Sequence, residues 1–121
     1  MKLSLSNAAV FCLAALTMYN PVHAADAELG LTLVTELAQV NGVALACQDT
    51  AIAAKAKKLM LTHAPKTPRF GSAFEETTNA SYLHQVRGTS ACPDASDLDS
   101  KLNALAKRLE DSLPASPPTA Q

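Results

Sequence analysis

A net charge of −1 over 121 residues, with aromatics at only 4%, excludes the clustered positive surface and stacking platforms of a nucleic-acid binder. It gives no support to a membrane-surface role either. The length suffices for one domain and not for two.

The chain opens as an export leader. Lys2 supplies a short positive start, and Ala8 to Met18 forms an apolar run that Asn20 and Pro21 end well short of the about 20 residues needed to span a bilayer. Val22-His-Ala24 places small side chains where signal peptidase reads, so cleavage is expected after Ala24, with no stable membrane insertion afterwards. Phe11 stands before Cys12, where a lipobox requires a small residue, which argues against lipidation. Residues 1–24 are thus read as the leader, 25–113 as a helical domain and 114–121 as a tail. The mature part, about 97 residues, carries a net charge of about −2.

Residues 26–46 read as the first helix, because Leu33, Leu37, Val40, Ala44 and Cys47 recur along a single face. Asp26 and Glu28 suit a first turn that meets the positive end of the helix dipole. Asn41-Gly42 is the weak point. A continuous helix with a close packing contact at Gly42 is preferred, a break there being the alternative.

Asp49 or Thr50 caps a second helix that Pro65 stops near Ala64, with Ile52, Ala56, Leu59, Met60 and His63 as its apolar row. Lys55, Lys57 and Lys58 read as its solvated face. Thr67-Pro68 starts the third helix, with threonine as cap and proline at the first helical position. Its row of Phe70, Phe74, Thr78, Tyr82 and Val86 holds every aromatic of the mature chain, and Gly88 ends it near Arg87. Pro93 to Ser96 opens the last helix, in which Leu98, Leu102, Leu105, Leu109 and Leu113 form the clearest apolar stripe. Pro114-Ala-Ser-Pro-Pro118 cannot extend any helix, so 114–121 is expected to be disordered.

The expected fold class is therefore all-α, a small bundle of about four helices with antiparallel neighbours on short connections. Cys47 and Cys92 are the mature region's two cysteines, and export delivers them to an oxidising compartment. One disulfide between them is expected. It would close a ring of about 46 residues, on the order of 4 kcal/mol of stabilisation in the loop-entropy model. Two thiols holding a metal is the competing reading, but they lack the paired spacing of a zinc site.

No constellation carries chemistry. His63 and His84 lie on different helices without a HExxH or HxxxH spacing, so no metal or cofactor is assigned, and a shared site would need the bundle to bring them together. His63 has the simpler reading of a cap at its helix C-terminus. Glu75 and Glu76 point about 100 degrees apart and make no acid/base pair; Glu75 is expected to pair with Arg69 or Lys66. No G-x-S-x-G elbow surrounds any serine. No catalytic residue is assigned, and the chain reads as a binder rather than an enzyme. The most distinctive stretch is Ala64 to Thr78. There Arg69 and Phe70 are the candidate partner anchor, since arginine and aromatics dominate interface energetics, with Phe70 as core residue the competing reading. Asn79-Ala-Ser81 matches a glycosylation sequon, read as unused on a bacterial helix.

The segments Asn41-Gly-Val-Ala-Leu-Ala-Cys47, Ala64-Pro-Lys-Thr67, Arg69, Gly71, Phe74-Glu75, Thr77-Thr78 and Ala91-Cys-Pro93 resemble small exported proteins of bacterial conjugal transfer and type IV secretion clusters. The resemblance spans most of the mature chain and contains no catalytic signature. It implies a periplasmic accessory factor whose partner is another envelope protein. An acid-stress-type periplasmic chaperone is a second class, although an acidic excess of about two charges gives a pH switch little leverage. An inhibitor or immunity protein of an envelope-acting enzyme is a third, with the Pro65 to Pro68 connection as its only candidate loop.

Overall fold

A computed structural model describes residues 21–115. Most of the expected leader and most of the expected tail lie outside these residues. Four helices run in chain order: α1 (Pro21–Ala46), α2 (Thr50–His63), α3 (Pro68–Arg87) and α4 (Ala95–Ser112). No strand occurs among the described residues. The protein is all-α, and a disulfide joins Cys47 to Cys92.

Each boundary has a local cause. α1 is described from Pro21, ahead of the expected cleavage point after Ala24, so in the unprocessed chain Asp26 and Glu28 do not sit in its first described turn. Glu28 instead forms an ion pair with Arg69. The helix continues unbroken through Asn41-Gly42. It ends in a Schellman arrangement, in which the Gln48 and Asp49 N–H groups donate to the carbonyls of Leu45 and Ala44 at 3.3 and 2.8 Å. The left-handed position that this geometry requires is held by Gln48 (φ 59°) rather than by a glycine. Asp49 then caps α2 by accepting the Ile52 N–H at 3.1 Å. Thr67 makes no side-chain cap bond to α3, so Pro68 alone supplies the expected start signal. Gly88 ends α3 in an extended conformation, its N–H donating to the His84 carbonyl.

The core forms around α1. Leu33, Leu37, Val40 and Ala44 meet Ile52 and Ala56 of α2 and Leu98, Leu102, Leu105 and Leu109 of α4. A smaller cluster of Val34, Ala64 and Phe70 closes the opposite end. The stretch Asp26–Ala46 is long and apolar enough to cross a membrane, and half of it is buried by the other helices. It is the spine of the bundle.

The antiparallel expectation holds for α1 against α2 and against α4. Cys47 meets Cys92 at one end of the α1–α4 pair, while Leu113 covers Gly30 at the other. α3 accordingly lies parallel to α1 and antiparallel to its sequence neighbours, with Arg69 reaching Glu28 at one end and Thr78 and Ser81 pressing on Gly42 towards the other. α2 and α4 are parallel too, joined by Lys55 to Asp99 and Asn103 and by His63 to Leu113. Backbone packing links α1 to each of the other helices and α2 to α4, but it does not link α3 to α2 or to α4.

The reason lies in small side chains. A Cβ at Gly42 would stand 2.3 Å from the Thr78 carbonyl oxygen and 2.8 Å from the Tyr82 nitrogen, so α1 and α3 touch backbone to backbone. Buried Asn41 donates to the Thr78 hydroxyl at 3.2 Å, and that hydroxyl donates in turn to the Ala38 carbonyl at 3.4 Å. The close approach draws α3 along α1 and away from its sequence neighbours.

Candidate functional site

Because the α2 and α3 backbones both pack on α1 and not on each other, a groove of 680 Å³ opens between them. Asn41 and Leu45 of α1 form its floor. The α2 wall presents Ala53, Lys57, Met60 and Leu61, and the α3 wall presents Gly71, Phe74, Glu75 and Tyr82. Leu45, Leu61 and Tyr82 are 47%, 60% and 39% exposed. Five large apolar side chains stand exposed among the described residues, and these three line this one groove. A cluster of that kind is the usual mark of a contact surface rather than of random surface composition.

The walls differ in charge. α2 carries Lys55, Lys57 and Lys58 and no carboxylate, whereas the middle of α3 carries Glu75 and Glu76. Lys57 and Glu75 are both exposed, and neither joins an ion pair among the described residues. The expected pairing of Glu75 with Arg69 or Lys66 is not formed. Arg69 turns to Glu28 across the α1–α3 seam, and the Lys66 ammonium donates to the Leu61 carbonyl. A Cβ added at Gly71 would meet nothing within 4 Å, so the α3 wall is open there.

Arg69 and Phe70, the candidate anchor, separate. Arg69 lies on the surface, while Phe70 is 6% exposed and packs with Val34 and Ala64. Phe70 thus belongs to the core, and the surface aromatic of this helix is Tyr82, three turns further on.

The histidines are not brought together. His63 reaches across to α4, its Nδ1 lying 2.7 Å from the Leu113 carbonyl oxygen and 3.8 Å from Glu110 Oε2. It therefore joins the ends of two helices rather than capping its own. His84 lies on the far side of α3, in a second, shallower depression shared with Lys101. No group of three His, Cys, Asp or Glu side chains suited to a metal occurs among the described residues. Asp99 is held below the usual carboxylate range, first by the hydrogen bond from Lys55 Nζ at 2.5 Å and by its positive charge, with a weaker contribution from Asn103. This network joins α2 to α4 and faces no cavity that holds a nucleophile.

Sequence patterning singled out Arg69 and Phe70 and missed the groove. The signal was present, because Leu45 and Leu61 are large apolar residues standing outside the rows assigned to the core faces of their helices.

Comparison with protein-family models, with curated proteins and with solved structures finds no match for this chain.

Proposed function

We propose that the protein is an exported, non-enzymatic accessory factor of the bacterial periplasm that works by docking other polypeptides, in the setting of conjugal transfer or type IV secretion. The observation that carries this reading is the α2–α3 groove, where three exposed apolar side chains converge on a scaffold closed by a disulfide. Such a surface offers apolar contact area at small ordering cost, because α1 forms its floor and Lys55 and His63 tie the α2 wall to α4. The disulfide and the apolar N-terminal sequence agree with export. The secretion setting rests on the sequence resemblance alone.

The test is photo-crosslinking in cells from a probe at Leu61, with a second probe at the exposed Lys107 as control. Adducts from Leu61 that disappear when Gly71→Trp fills the groove support docking. Absence of adducts from Leu61, or adducts indifferent to Gly71→Trp in a variant of unchanged thermal stability, would remove the proposal.

A further inference from the structure

We infer that the occupant of the α2–α3 groove is a second copy of this chain, which makes the working unit a two-fold dimer. The inference rests on the groove being a docking site, and the charge of its two walls carries it further. The α2 wall is purely cationic and the α3 wall anionic where they face the groove, through Lys57 and Glu75. A two-fold interface is self-complementary, each residue meeting its counterpart's partner twice. With the axis along the groove, α2 of one copy lies over α3 of the other. Lys57 of each then faces Glu75 of the other, and both of these unpaired charges are matched using only groups the chain already has. A groove with one sign of charge on both walls would repel its own copy. This one is polarised across its width and therefore matches itself.

The apolar residues fit the same arrangement. Tyr82 and Leu45 stand toward the Gly42 end of the groove and Leu61 toward the Phe70 end, because α2 runs antiparallel to α1 and α3 parallel to it, so the two-fold sets Leu61 of each copy against the open stretch from Gly71 to Phe74 on the other's α3. The stretch from Gly71 to Tyr82 spans about 16 Å of helix, three turns, the length over which helix-in-groove recognition usually operates.

Sedimentation equilibrium of the purified, oxidised mature protein tests this directly. The expected result is a mass twice that of one chain, with a dissociation constant that rises with salt. Lys57→Glu and Glu75→Lys each place two like-charged pairs across the axis and should weaken the dimer by about tenfold or more. Combining them restores the pairing with signs exchanged and should return the dissociation constant to within about threefold of the parent. Both residues are exposed, so folding is preserved and circular dichroism verifies it. A monomer at all concentrations overturns the inference, as does a dimer that the single reversals leave unchanged or the double reversal fails to rescue. If the protein is monomeric while Leu61 still crosslinks to a different envelope protein in cells, the docking reading stands and the second copy is excluded. Monomer together with no Leu61 adduct removes both.

Discussion

Gly42→Ala and Gly71→Ala are the same chemical change in two helices, and the structure assigns them opposite signs. In an unobstructed helix interior the added methyl stabilises by about 0.5–1 kcal/mol. That is the expectation at Gly71, where nothing lies within 4 Å. At Gly42 the methyl would lie 2.3 Å from the Thr78 oxygen and 2.8 Å from the Tyr82 nitrogen, both backbone atoms that no rotamer change can move. Reaching ordinary contact requires α3 to retreat by about 1 Å. The 3.2 Å bond from Asn41 to Thr78 does not survive that shift, and it leaves a buried amide unpaired at about 1–3 kcal/mol. Overpacking adds about 1–3 kcal/mol. After the propensity gain, the net loss is about 1–5 kcal/mol, a fall in Tm of roughly 5–40 °C for a domain of this size. Thermal unfolding followed by circular dichroism with the disulfide intact reads both variants. A Tm for Gly42→Ala equal to or above the parent would refute the backbone contact and, with it, the account of why the groove exists.

Phe70→Ala should cost about 3–5 kcal/mol, whereas Arg69→Ala, which breaks an exposed ion pair, should cost less than about 1 kcal/mol; comparable denaturant midpoints for the two would contradict the split described above. Gln48→Gly should raise stability by about 0.5 kcal/mol, since glycine occupies the left-handed position at lower cost, and an unchanged or lower Tm would count against the Schellman geometry. Asp99 binds its proton less tightly folded than unfolded, because Lys55 favours the carboxylate. Its stabilisation is therefore complete above the unfolded value of about 3.9 and disappears as pH falls through the lower folded value. The Tm difference between the parent and Asp99→Asn should accordingly shrink on acidification from pH 7, and a constant difference would exclude the linkage.

Helices and disulfide were legible in the sequence because each depends on local or countable features. Leucine spacing in α4, the Asp49 and Pro68 start signals and a single pair of mature cysteines determine them without knowledge of packing partners. The contact at Gly42 was legible too, as a glycine amid unbroken helical spacing. What periodicity cannot give is the identity of the surface an apolar face meets. The row from Phe70 to Val86 reads as one core face, yet only Phe70 is buried, and Tyr82 and Val86 stay exposed because α3 follows α1 instead of closing against α2. The groove is a product of that pairwise choice. It depends on how closely two backbones approach, which a one-dimensional pattern of apolar residues does not encode.

The bridge from Cys47 to Cys92 also separates the fates of α3 and α4. It ties the segment leading into α4 to the end of α1, so the leucine-rich part of the molecule keeps its register whether or not α3 is in place. α3 packs its backbone on one neighbour only, along the Gly42 seam, with Phe70 as its one buried side chain, so native-state hydrogen exchange in α3 reads the strength of that seam alone. The protein is thus divided into a covalently secured frame and one helix docked on it through a single long seam, and the shape of the groove is set by that seam.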